Sequence, residues 1–97
     1  MISTRFYERR GEVLLAACDE ELLGKTFRSD GMKLTVSKTF YSQDTMTEDE
    51  FRQVLDQAVI LNLVGNRTVS IAIEAGVVSR KSILTIEGVE HAQVVRM

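Results

Sequence analysis

The chain has no proline and no tryptophan, one cysteine, one histidine, and only 6% aromatic residues among its 97 positions. A lone cysteine, Cys18, excludes an internal disulfide. A lone histidine, His91, leaves no His/Cys set for a structural zinc site, so no metal site is assigned. Sparse cysteine fits a reducing, cytoplasmic setting. Long hydrophobic runs are missing too. The longest stretch without formal charge, Gln57 to Asn66, is ten residues, against about 20 needed to cross a bilayer. The opening MISTRFYERR carries Arg5, Glu8, Arg9 and Arg10 where a secretory leader needs its apolar core, so no leader and no membrane partner are expected.

What is present is an ordinary globular composition, with 44% hydrophobic and 27% charged residues. That supports one compact domain spanning 1–97. Twelve bases against fourteen acids give a net charge of −2, which argues against a strongly basic nucleic-acid binder. The charge is uneven, however. Residues 39–65 hold five acids (Asp44, Glu48, Asp49, Glu50, Asp56) and one base (Arg52), while the segments on either side are slightly basic.

Hydropathy patterning predicts the elements. Met1 to Glu8 alternates as a half-buried strand, and Val13 to Cys18 is a continuous apolar run, as in a strand buried on both faces. Arg9-Arg10-Gly11-Glu12 joins them as a hairpin. Asp19 to Gly24 reads as a single helical turn capped by Asp19, with Glu20 and Glu21 at the positive end of its dipole. After a turn at Ser29-Asp30-Gly31, Lys33 to Ser37 alternates as a strand, and Ser42 to Thr45 is a polar loop. Thr47 and Glu50 form a capping box. Beyond it Phe51, Val54, Leu55, Ala58 and Leu61 share a helical face, predicting a helix that runs to Val64 and ends at Gly65. Asn66 is expected to cap a second helix, Arg67 to Ala75. A basic loop at Ser79 to Ser82 leads to a hairpin, Ile83–Ile86 and Val89–Val95, turning at Glu87-Gly88. The expected fold is α+β, a small mostly antiparallel sheet with a two-helix hairpin packed on one face.

Few residues carry obvious chemistry. Gly24-Lys25-Thr26 matches the tail of a phosphate-binding loop, but the glycine required five residues earlier is replaced by Asp19, and three carboxylates there would repel a nucleotide. Cys18 closes an apolar run ahead of three acids, the surroundings of a core thiol rather than a nucleophile. The helix–glycine–helix pattern offers too few cations for duplex readout. Arg5, Arg9, Arg10, Arg28, Arg80, Lys81 and Arg96 are a better candidate set for RNA contacts, with Phe6, Tyr7 and Tyr41 available to stack bases.

Four blocks carry a resemblance: Cys18-Asp19-Glu20-Glu21-Leu22-Leu23-Gly24-Lys25-Thr26-Phe27, Phe40-Tyr41, Asn62-Leu63-Val64-Gly65, and Ile86-Glu87-Gly88-Val89-Glu90-His91-Ala92-Gln93. Together they resemble a small family of conserved archaeal proteins, a domain of unknown function, over almost the whole chain. Glu90 departs from the pattern, which takes proline there in some relatives; this bears only on the local turn. The resemblance implies a compact cytosolic α+β protein and no particular activity. Its blocks suggest a shared surface around Asp19, Glu20, Lys25, Asn62, His91 and Gln93.

The expectation drawn from these readings is a non-enzymatic binding module acting on RNA or the translation machinery, without a cofactor. The alternative is a small enzyme or ligand-binding protein using an Asp19/Lys25/His91 pocket for acid–base work. A third reading makes Ile60 to Val64 a homodimer seam through the helical hairpin.

Overall fold

The computed structural model describes residues 1–96. Strands β1 (Ile2–Arg9) and β2 (Glu12–Asp19) form the predicted hairpin. A second hairpin, β3 (Thr26–Ser29) and β4 (Met32–Thr35), stands apart from the main sheet. Next come the one-turn helix α1 (Lys38–Tyr41), the short strand β5 (Asp44–Met46) and helix α2 (Glu48–Val54). Strand β6 (Ile60–Val64) runs directly into helix α3 (Asn66–Glu74), and β7 (Ile83–Ile86) with β8 (Val89–Val95) closes the chain. All three hairpins turn on the same device. Arg10-Gly11, Asp30-Gly31 and Glu87-Gly88 each place two successive residues at positive φ, the backbone twist that suits tight antiparallel connections. Among the described residues no helix is long and apolar enough to cross a membrane.

The main sheet has six strands in the order β5-β1-β2-β6-β8-β7. Every neighbouring pair is antiparallel except β2 and β6, which run parallel with Leu14 opposite Ile60 and Cys18 opposite Val64. The fold is therefore α+β with a large, mostly antiparallel sheet. A parallel pair needs a long crossover, and everything from β3 to α2 supplies it.

The predicted helical hairpin is not formed. Ile60 to Val64 is a strand between β2 and β8, so α2 and α3 are not consecutive. Leu61, Leu63 and Val64 are buried within the sheet's packing, and the segment cannot serve as a helical dimer seam. The helical periodicity ends earlier: α2 stops at Val54 and gives way to a 3-10 turn at Leu55–Gln57. Arg96 holds that turn, donating to the carbonyls of Leu55 and Ala58 at 2.7 and 2.6 Å.

The sheet separates two cores. On one face Leu15, Ala17, Leu61, Leu63 and Ala92 pack against Phe51 and Leu55 of the α2 region and Val69, Ile71 and Ala72 of α3. On the other, Ala16, Cys18, Val64 and Ile86 meet Leu34, Val36 and Tyr41 from the β3–β4 hairpin and α1. The continuous apolar run of β2 thus serves both faces, as its sequence predicts. The capping box also forms: Thr47 Oγ1 accepts from the Glu50 amide, and the Glu50 carboxylate from the Thr47 amide.

Asp19 has a different partner from the expected one. Its side chain makes no bond to the turn that follows it. It crosses instead to the N-terminus of α3, where Oδ1 accepts from the Thr68 amide (2.8 Å) and hydroxyl (2.7 Å) and Oδ2 from the Arg67 amide (3.2 Å). Asn66 likewise does not cap α3; it accepts from the Glu90 amide and donates to the Gly88 carbonyl. Gly65, at φ 110°, lets the carboxylate approach: a Cβ there would lie 2.4 Å from Asp19 Cγ. Substituting Gly65→Ala should cost about 2–4 kcal/mol in urea unfolding, from left-handed strain plus overpacking. Gly88→Ala, with positive φ but open space around its Cβ, should cost only about 1–2 kcal/mol.

Candidate functional site

The sheet face opposite α2 and α3 is only partly covered. The β3–β4 hairpin packs over the Val64–Cys18 end, and α1 lies across β1 and β2, fixed by the Ser3 hydroxyl to the Tyr41 carbonyl (2.8 Å), Arg5 Nη1 to the Thr39 carbonyl (2.9 Å) and the Tyr7 hydroxyl to the Phe40 carbonyl (2.8 Å). Beyond these, two rows of side chains cross the strands. The pairing Tyr7–Leu14–Ile60–Val95 makes one, and Arg5–Ala16–Asn62–Gln93 the other. Val95 is 61% exposed, so this end of the sheet is open.

Beside it is a groove of about 530 Å³ lined by Tyr7, Leu14, Phe40 and Ile60, with Glu8, Arg9, Arg10 and Glu12 at its rim. Tyr7 and Phe40 are stacked with ring centroids 5.2 Å apart, and the Arg5 guanidinium sits 5.0 Å above the Tyr7 ring. Strand alternation explains the grouping: Arg5, Tyr7 and Arg9 share one face of β1, while Phe6 turns to the helix-side core. Of the three aromatics expected to stack bases, only Tyr7 stands on the groove. Phe40, not among them, joins it, and Tyr41 is buried. Helix α1, absent from the sequence-based reading, is what brings Phe40 there.

A polar trio adjoins the groove. The Tyr41 hydroxyl donates to Asn62 Oδ1 at 2.6 Å, and His91 Nε2 lies 3.3 Å from the same oxygen. That oxygen only accepts, so Nε2 carries the proton. Burial lowers the His91 pKa below its ordinary 6.5 and raises that of Tyr41 to about 12, with smaller contributions from Cys18 and Tyr7. Gln93 stands directly beside Asn62 on β8 and is exposed.

The remaining candidates do not converge there. Asp19 is committed to α3 on the helix side, whereas His91, in register with Val64 and Cys18, faces the hairpin side. The Asp19/Lys25/His91 pocket is therefore not formed. Lys25 is an exposed residue whose carbonyl accepts from the Val36 amide, and Glu20 opens an exposed 3-10 turn. The arginines separate as well. Arg9 and Arg10 line the groove, and Arg5 lies over the Tyr7 ring. Arg28 lies on β3, its amide bonded to Glu87, and Arg80 and Lys81 occupy the turn before β7, with Arg80 3.8 Å from Glu90.

Cys18 is fully buried, and its thiol pKa rises to about 12, chiefly from burial and then from Asp19, Glu21 and Glu20. The native thiol should stay unmodified by a disulfide reagent at pH 8 and react stoichiometrically once urea unfolds the chain. His91 sets a pH dependence. Its folded-state pKa is lowered, so below about 6.5 the unfolded chain binds the proton first and stability falls as pH drops toward the folded value. His91→Gln should flatten that part of the unfolding free energy measured against pH.

A family model described as a protein of unknown function, DUF424, matches residues 7–97. The chain is also similar to an uncharacterized conserved protein of known crystal structure from Methanopyrus kandleri, with 26% identity and a TM-score of 0.79 over 99% of this chain and 93% of that one. No curated protein matches.

Proposed function

The chain belongs to the DUF424 family of proteins of unknown function, and from that premise we propose that it is a module that binds single-stranded RNA across the open end of its sheet. The observation that carries the reading is the Tyr7–Phe40 stack in a groove edged by Arg9 and Arg10, with Arg5 over the Tyr7 ring. Aromatic faces stack unpaired bases, and each stacked base contributes about 1–3 kcal/mol. Arg5 already lies over Tyr7, and the exposed Arg9 and Arg10 stand at the turn, where a phosphate backbone entering the groove would pass them. The apolar row through Leu14, Ile60 and Val95 gives a base a dry floor.

The overall negative charge does not oppose this reading. The acidic block lies mainly on and around α2, which packs on the other face. Glu8 and Glu12, at the groove's own rim, favour a modest, salt-sensitive affinity. Arg28, Arg80 and Lys81 are not part of the surface.

The test is fluorescence anisotropy with a labelled eight-nucleotide RNA. Three phosphate contacts give a slope of about −2 for the logarithm of affinity against the logarithm of salt, so binding should weaken roughly twentyfold between 50 and 200 mM. The double variant Arg9→Ala, Arg10→Ala should reduce that slope to about −0.7, and Glu12→Gln should strengthen binding. Affinity that is absent, or indifferent to salt and to both arginines, contradicts the proposal.

A further inference from the structure

We propose that the outer edge of β7 pairs with β7 of a second copy of the chain about a two-fold axis at Leu84, joining the two main sheets into one. Pairing there leaves the groove on β1, β2 and β6 open and is independent of what that groove binds.

β7 and β5 are the two edges of the main sheet. An edge strand carries unpaired amides and carbonyls, and the turn determines which ones. Across the two-residue Glu87-Gly88 turn, Ile86 and Val89 form the hydrogen-bonded closing pair, so Leu84 with His91 is the next bonded pair. Ile83 and Thr85 therefore direct their backbone groups away from β8. The Glu90 carbonyl agrees with this alternation: opposite Thr85, it turns from β7 and accepts from the Gly65 amide. The Ile83 amide is used by the 3-10 turn before the strand, donating to the Arg80 carbonyl. The Thr85 amide and the carbonyls of Ile83 and Thr85 have no partner among the described residues. The β3–β4 hairpin meets only the far end of β7, where Ile86 shares a core with Leu34 and Glu87 accepts from the Arg28 amide. Thr85 is exposed, and so is the apolar side chain of Leu84, at 42%.

A second copy fits because the edge is complementary to itself. With Leu84 opposite Leu84 of the second copy in antiparallel register, Ile83 of each chain faces Thr85 of the other. Both are outward-directed residues, so each Thr85 amide donates to the opposing Ile83 carbonyl. Leu84 then falls at a non-hydrogen-bonded position, where facing side chains approach most closely, and the two leucines cover each other. The same register brings the Lys81 end of each strand to the Glu87 turn of the other. Flanking lysines ordinarily protect an edge from pairing, yet here the cation meets an acid, and Lys81 forms no ion pair among the described residues. Placing Thr85 on the axis instead would set Ile83 against Glu87 and lose that match. A two-fold contact closes on itself, so association stops at the dimer.

Sedimentation equilibrium of the full chain tests the proposal. The edge is short, so the interface is small and the dissociation constant should lie at about 10–100 µM. The mass should rise from that of one chain towards that of two as the concentration approaches about 1 mM. Thr85→Pro removes the outward amide and leaves the β7–β8 ladder intact, since proline is accepted where an edge N–H faces out; it should stay monomeric throughout. Lys81→Glu and Glu87→Lys, each alone, set like charges against one another twice and should associate about tenfold more weakly. An equal mixture of these two variants should recover the association of the unaltered chain. A chain that remains monomeric up to about 1 mM overturns the proposal. So does a dimer that persists in Thr85→Pro, or a mixture that associates no better than its components.

Discussion

The Asp19 carboxylate at the N-terminus of α3 is the contact on which the arrangement depends. β2 and β6 are the one parallel pair in the sheet, and parallel neighbours have no hairpin to set their register. Asp19 is the last residue of β2, and α3 begins directly after β6. The carboxylate satisfies the Arg67 and Thr68 amides and the Thr68 hydroxyl, donors that burial would otherwise leave unpaired. It also complements the helix dipole. Gly65 makes the approach sterically possible, and its amide donates to the Glu90 carbonyl. Asn66 then bonds the β7–β8 hairpin. One junction thus ties β2, β6, β8 and α3 together.

That junction separates structural polar groups from available ones. Asp19 looks like chemistry in the sequence and is spent on the fold. Arg96 is spent in the same way on the turn after α2, and Cys18 on the core. The helix side is closed by apolar packing between α2, α3 and the sheet, and Arg67 with Glu48 bridges the two helices across it. The hairpin side is covered only at one end. The polar groups beside the aromatic rings there include Asn62, Gln93, Arg5, Arg9 and Arg10, with Glu8 and Glu12 at the groove rim. The acidic block of residues 44–56 lies mainly on and around α2, on the other face from this groove.

Much of this was legible in sequence because it is local. The β1–β2 and β7–β8 hairpins were read from alternation and from their Gly-containing turns, the α2 start from its capping box, and α3 from its apolar spacing. β6 was misread. Ala58 and Leu61 continue the periodicity of Phe51, Val54 and Leu55 by coincidence, and a five-residue apolar run fits a strand or a buried helix equally well. Its β-branched Ile60 and Val64, beside Val59, were the available signal for a strand. The partners of Asp19 lie 48 and 49 residues away, beyond any pattern read along the chain. His91 and Asn62 were singled out, yet their meeting over one oxygen depends on register and on α1 delivering Tyr41. Arg5, Arg9 and Arg10 fall in one sequence group with Arg28, Arg80, Lys81 and Arg96, four cations that the topology sends elsewhere, since spacing along a chain does not say which face of a sheet a side chain will occupy.

The most direct measurement is an NMR titration of the labelled protein with a short oligouridine, following amide and side-chain signals residue by residue. The account predicts shifts confined to Tyr7, Leu14, Phe40, Ile60 and the Glu8–Glu12 turn that line the groove. The amides of Arg67 and Thr68, capped by Asp19, should stay still. Shifts centred on α2 and α3, or no shifts at RNA concentrations that saturate the anisotropy signal, would contradict it.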